Sequence, residues 1–168
     1  MPKLYFASDH AGYALKAALI EQMGALGYEV IDMGARTLDP EDDYPDFVTP
    51  CAEHVAEENP RGGAARTFGI IIGGSGQGEA MCANRIPGAR AAVFYGEMKV
   101  TAALDIEGGR SEDGFDLVRL ARRHNDANLL SIGARFVSGA QALEAVRLFL
   151  ATPFSDAPRH ARRLAKFW

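Results

Sequence analysis

The sequence predicts an α/β protein built on a parallel β-sheet, and three observations carry that prediction. Short apolar runs alternate along the chain with longer helical patterns, the order expected of βαβ units. The run Phe68 to Ile72 is apolar and rich in isoleucine, as a central parallel strand covered on both faces should be. At 168 residues, 48% hydrophobic and 24% charged, the chain is long enough for one sizeable core and not for two, so residues 1–168 are expected to form one domain.

Each element follows from local pattern. Lys3 to Ser8 (KLYFAS) is the first strand. Leu15, Leu19, Met23 and Leu26 recur three and four apart, one apolar stripe of a helix that Gly27 ends. Glu29 to Gly34 (EVIDMG) is the second strand. The stretch ARTLDPEDDYPD is too rich in acids and prolines for either element and reads as loop, with a turn at Asp43 to Phe47; Phe47 to Glu58 then returns to helix. NPRGGAART is a second loop. Phe68 to Ile72 and Ala89 to Phe94 are the third and fourth strands, with room between them for only a short helix. From Tyr95 to Arg123 two helical stretches are expected on either side of EGGRSEDG, an exposed insertion at Glu107 to Gly114. LLSIG, Leu129 to Gly133, is the fifth strand. Ser138 and Gln141 form a capping-box start for a helix running to Ala151. Asp156 as N-cap and Pro158 in the first turn open a terminal helix.

Composition narrows the function. A net charge of -4 and a pI near 5.6 supply no general attraction to nucleic acid or to anionic membranes, so neither is an expected partner. Cys51 and Cys82 form no CxxC or other ligand spacing, which argues against a disulfide framework or zinc and for a reducing, cytoplasmic setting. MPKLYFASDHAG reaches Asp9 and His10 before a signal-peptide core forms, and no run is long enough to span a bilayer, so no leader or anchor is expected.

The chemistry centres on FGIIIGGSGQGEAMCANR. In an open parallel sheet ligands sit at the carboxyl ends of strands, and GGSGQG follows a strand and precedes a helix. Small residues there let backbone N–H groups approach an oxygen closely. Three familiar motifs fail on it. Gly73 to Gly78 has the gap of a P-loop, but Glu79 and Ala80 stand where Lys and Ser/Thr are needed. GxGxxG fits Gly74, Gly76 and Gly78 in no register, and Gln77 replaces the final glycine of GxSxG. A tight turn with glycines for steric reasons, and Glu79 as an acid favoured by the helix dipole, account for the same residues without chemistry.

Other polar residues tip the balance towards chemistry. Asp9 and His10 close the first strand and HNDAN, His124 to Asn128, lies just before the fifth; both are expected to face the edge that carries Ser75 and Glu79. Each histidine alone reads as a capping or hydrogen-bonding residue. Together with a carboxylate and a backbone cradle they supply a general base, a general acid and oxyanion donors. No His-x-x-x-His spacing occurs, so metal catalysis is not expected. Arg159 and Arg163 lie four apart on one helical face and suit a phosphate dianion, although spacing alone favours a solvated basic face completed by Arg162 and Lys166. Arg135, after the fifth strand, is placed to reach the strand ends, and Tyr44 offers a hydroxyl from the acidic segment.

With these residues in view the chain resembles the sugar-phosphate isomerase family that contains ribose-5-phosphate isomerase B and the galactose-6-phosphate isomerase subunits. The markers are ASDHAGYALK, DYPD, IIGGSGQGEAMCANR followed by PGARAAV, RRHNDANLLSIGAR and RHARR, in the family's order over nearly the whole chain. The resemblance implies a Rossmann-like three-layer α/β sandwich with a five-stranded parallel sheet, a C-terminal helix packing on a partner subunit, homodimers or tetramers with shared sites, and no metal or organic cofactor. One branch of the family carries a catalytic cysteine where this chain has Gly73; the other uses a glutamate four residues after the serine, which here is Glu79 after Ser75. By resemblance Glu79 is the base, Ser75 and the loop of Gly74, Gly76, Gln77 and Gly78 bind the reacting end, and His124 opens the sugar ring with Asp9 assisting. Asn125 orients substrate oxygens, Arg135, Arg159 and Arg163 bind phosphate, the last two from a partner, and His10 and Tyr44 make further contacts. The implied reaction is ribose 5-phosphate to ribulose 5-phosphate through a cis-enediol. The alternatives are a hexose 6-phosphate such as galactose or allose 6-phosphate, or a non-catalytic sugar-phosphate binding protein; a serine hydrolase using Ser75 is weaker still, since Gln77 contradicts it. The segment Tyr95 to Arg123 is longer than the usual family connection and bears on which sugar is bound.

Overall fold

The computed structural model describes residues 1–59, 67–104, 109 and 113–167. Five strands, β1 (Lys3–Ser8), β2 (Glu29–Asp32), β3 (Thr67–Gly73), β4 (Ala91–Phe94) and β5 (Leu129–Gly133), form one sheet in the order β2-β1-β3-β5-β4. Every pairing is parallel. The helices are α1 (Tyr13–Ala25), α2 (Pro45–Glu58), α3 (Gln77–Ala83), α4 (Asp116–Asn125), α5 (Gly139–Ala151) and α6 (Pro158–Leu164).

Strand alternation sorts the core into two layers. Leu4, Phe6, Ile70, Ile72, Leu130 and Ile132 point to one face and meet Leu19 and Met23 of α1, Val118 of α4 and Val146 and Phe149 of α5. Tyr5, Ala7, Ile71 and Leu129 point to the other and meet Val48, Cys51, Ala52 and Val55 of α2 and Ala83 of α3. Burial on both faces is why β3 reads as a continuous apolar run. Among the described residues no helix is long and apolar enough to cross a membrane.

The first and fifth strands have the bounds that the sequence predicts, and the capping box at Ser138 and Gln141 is formed in both directions. Elsewhere the elements differ. Helix α1 buries Leu19 and Met23, but Leu26 is its C-cap and is exposed, because Gly27 takes the left-handed conformation one residue later. Helix α2 starts at Pro45, two residues before the expected start, because proline at the first helical position is already set to helical φ. The expected turn at Asp43 to Phe47 is therefore the entry to that helix. Asp156 does not cap α6: it sits at φ +48°, Ala157 is the N-cap, and the Ser155 hydroxyl accepts from Ala157 N–H.

The largest departure lies between β4 and α4. Of the two expected helical stretches, only the one after the glycine-rich piece forms; residues 95–104 contain no helix. Gly96 lies at φ +125°, and Met98 N–H donates to Gly114 O instead of to a helical turn. Of the expected insertion, residues 107, 108 and 110–112 lie outside the described residues; Asp113 is exposed and its carboxylate accepts from Arg119 and Phe115 N–H.

At the amino edge a buried charge cluster locks the exit of α4. Arg122, 2% exposed, lies between the rings of Phe68 and Phe149 and donates to Asp126 Oδ1 at 2.8 Å and Ala127 O at 2.6 Å. Asp126 stands at φ +42° and accepts from Arg90 at its second oxygen, 2.9 Å away. Asp126→Ala strands two guanidinium groups in low dielectric, so a loss of about 3–5 kcal/mol is expected, read as a lower urea midpoint. An unchanged midpoint would mean that solvent reaches the pair.

Candidate active site

The sheet order reverses between β1 and β3, and the crevice outside their carboxyl ends is where an open α/β sheet receives ligands. Asp9 follows β1 directly; it is buried and its Oδ1 accepts from the N–H groups of Ala11 and Gly12, which closes a tight turn into α1. Gly12 is required there because a Cβ would lie 2.4 Å from Ile72 O. The crevice is therefore floored by two backbones in contact.

Beyond β3 the chain turns through Gly74, Ser75 and Gly76 into α3. Gly76 is the N-cap at φ +76°, a conformation that disfavours other residues, and its carbonyl accepts from Ser131 Oγ at 2.6 Å. Ser75 Oγ accepts from Gln77 N–H, and the Gln77 side chain is exposed. Glu79, in the first turn of α3, folds back beneath the loop. Its carboxylate lies over Gly73, so close that a Cβ on Gly73 would fall 1.6 Å from Glu79 Oε1. Glu79 is only 4% exposed. Burial pushes its carboxyl above the usual glutamate range; its own backbone N–H partly offsets this, and the nearby Asp9 charge adds to it.

Three side chains frame this loop. Tyr44 lies with its hydroxyl against Gly78, where a Cβ would meet it at 2.7 Å. The Arg135 guanidinium lies against Gly74, and Arg135 N–H donates to Gly74 O. His10 is held by Asp42, whose Oδ1 accepts from His10 N–H at 3.0 Å and meets His10 Nδ1 at 2.7 Å. That hydrogen bond raises the His10 pKa, and Arg135 works against it. Ligand-type atoms of Asp9, His10 and Asp42 lie within 4.8 Å of one another, the one such group among the described residues. Asp42 was not singled out in the sequence, since nothing in the run EDD says which acid turns towards His10.

His124 and Asn125 are elsewhere. The expectation that they face the same edge as Ser75 is corrected by the topology: α4 precedes β5, so its last turn lies at the amino edge, where Asn128 O accepts from Gly69 N–H at the start of the β3 pairing. Strand β5 separates that level from Gly133, and at about 3.3 Å per residue its length is on the order of 15 Å. His124 instead packs against His160, ring centroids 4.1 Å apart and planes tilted by 55°, and Arg159 Nε–H donates to His160 Nε2 at 3.0 Å. Arg163 follows one turn later on α6 and is exposed, as is Asn125. The predicted residues thus form two clusters on opposite edges: Asp9, His10, Tyr44, Gly74 to Gly78, Glu79 and Arg135 at one, and His124, Asn125, Arg159 and Arg163 at the other.

The profile of the family described as Ribose/Galactose Isomerase matches residues 4–108 and 114–167. The chain is 40% identical over 162 residues to the ribose-5-phosphate isomerase B of Mycobacterium tuberculosis, covering 96% of this chain and 85% of that protein. It superposes on the crystal structure of ribose-5-phosphate isomerase B from Mycoplasma genitalium with bound ribulose-5-phosphate, with a TM-score of 0.80 and 31% identity, over 98% of this chain and 92% of that one. The ribose 5-phosphate isomerase B of Anaplasma phagocytophilum gives a TM-score of 0.80 at 30% identity, over 100% and 97% of the two chains.

Proposed function

The chain belongs to the Ribose/Galactose Isomerase family, and from that premise we propose that it is an aldose–ketose isomerase, a single domain over residues 1–168, that interconverts ribose 5-phosphate and ribulose 5-phosphate. The observation that carries the mechanism is the buried Glu79 carboxylate tucked over Gly73 beneath a glycine loop. Glu79 removes the proton from C2 of the open-chain aldose, and the electron pair passes to the C1 oxygen to give a cis-enediolate. Backbone N–H groups of Gly74 to Gly78 and the Ser75 hydroxyl stabilise the charge on that oxygen. A proton moves from O2 to O1, Glu79 returns its proton to C1, and a ketone is left at C2. No electron acceptor is needed, since oxidation at C2 balances reduction at C1. Because Glu79 acts as a carboxylate with a raised pKa, the acid limb of kcat/KM lies above the range of an ordinary glutamate.

Ring opening needs a proton delivered to the ring oxygen as the C1 hydroxyl loses its own, the role we give to His124 with Asp9. The two lie on opposite edges of one subunit, so His124, Asn125, Arg159 and Arg163 serve the site of a second copy. The unit is a homodimer or a dimer of dimers, with α6 reaching the neighbour. Arg135 and His10 then meet the phosphate from the catalytic side and Arg159 and Arg163 from the other, while Tyr44 borders the sugar. Two free cysteines suit a reducing cytoplasm.

A panel of pentose and hexose phosphates assayed for isomerisation tests the reaction: ribose 5-phosphate should be turned over fastest, and a preference for a hexose 6-phosphate would replace the substrate while keeping Glu79. The shared site has its own test. Mixing Glu79→Gln and Arg163→Ala proteins under exchange conditions places both lesions in one site of each mixed dimer and leaves the other intact, so about a quarter of wild-type activity should return. Proven exchange without recovery would mean that each chain supplies its own arginines.

A further inference from the structure

His160 is 3% exposed and has no role in the scheme above. Its Nε2 accepts from Arg159 Nε–H at 3.0 Å, and Nδ1 lies 3.1 Å from Ser155 Oγ. Arginine only donates, so Nε2 carries no proton; the ring is the neutral tautomer with its proton on Nδ1, donated to Ser155. Ser155 N–H in turn donates to Arg123 O in the last turn of α4, and the His160 ring lies against His124. One buried imidazole thus joins the start of α6 to the end of α4, with Arg159 on one side and His124 on the other.

We propose that His160 is a positioning residue that sets the phosphate-binding arginine and the ring-opening histidine in fixed relation to each other. Its Nε2 fixes the inner donor of Arg159, and with it the plane in which the terminal amino groups are offered to an anion. The same ring backs His124, so the distance between phosphate and ring oxygen is held by one side chain. This rests on the reading in which Arg159 binds phosphate and His124 opens the ring.

The test combines substitution with the unaltered protein. His160→Phe keeps a ring against His124 and removes the acceptor. Inhibition by inorganic phosphate should weaken by about ten- to a hundredfold and KM for ribose 5-phosphate rise in parallel, with kcat changed far less. His160→Gln restores an acceptor near Nε2 and should recover most of the phosphate affinity; if phenylalanine prevents folding, His160→Ala takes its place. In an Arg159→Ala background the loss of the imidazole should add nothing to phosphate affinity. Nitrogen-15 spectra of the wild-type protein should show His160 neutral with its proton on Nδ1. A cationic ring, an Nε2–H tautomer, or unchanged phosphate inhibition in the folded acceptor-less variant overturns the proposal. If Arg159→Ala alone leaves phosphate inhibition unchanged, the phosphate reading itself fails and the proposal goes with it.

Discussion

Glu79→Gln is expected to lower turnover by about 10²–10⁴-fold while leaving sugar-phosphate binding largely intact, the loss usual for removing a general base. The amide keeps the size of the carboxylate, so it still fits over Gly73 beneath the loop. It cannot accept the C2 proton. The decisive measurement is exchange of the C2 hydrogen with solvent deuterium, which should fall with turnover; near-normal exchange would assign the base elsewhere. A second effect has the opposite sign. Burial raises the folded-state pKa of Glu79 above its unfolded value, so at neutral pH the ionised carboxylate is a cost to the folded state, removed as pH falls through the folded and then the unfolded pKa. Glu79→Gln should therefore melt above wild type at neutral pH, with the gap narrowing in acid.

Gly73→Ala is expected to be nearly as harmful, although the change adds one methyl group and touches no reacting atom. The Cβ would occupy the place of Glu79 Oε1, and Gly73 is fully enclosed at the end of β3. The carboxylate must swing away, and a misplacement of about 1 Å can cost on the order of 10²-fold in rate. Binding of inorganic phosphate should change little, because the added methyl group displaces the Glu79 carboxylate, which is not among the groups assigned to phosphate. Full activity in this variant would show that Glu79 has room to act from another position. The same contact explains physically why a glutamate reaching back to this spot needs glycine there.

The glycine loop and its neighbours were legible because their chemistry is local. Gly74 to Gly78 follow an unmistakable buried strand, Glu79 is one helical turn further on, and Asp9 and His10 end another strand; parallel pairing alone brings these termini to one edge. His124 was placed wrongly for a reason of direction. Proximity in sequence to β5 says nothing about which end of β5, and a helix that precedes a parallel strand ends at its amino edge. Asp42 is hidden because its side chain reaches His10 across a loop whose course no periodicity encodes, and His160, although adjacent to Arg159 on α6, because spacing does not say that its ring accepts from that side chain. The segment after β4 was misread because its apolar residues suit a helix, while Gly96 and the bond from Met98 to Gly114 turn the backbone away from one.

The sequence by itself determined the layers, the strand set and the loop that holds Glu79, because burial on two faces, capping and turn chemistry act over a few residues and leave periodic marks. Tertiary structure decided the rest: that Glu79 lies over Gly73 and is desolvated, that Asp42 grips His10, and that the second set of polar residues sits a strand's length away, at the amino end of β5. Those facts depend on which distant segments touch, and contact between segments is fixed by packing of the whole chain rather than by any stretch of it.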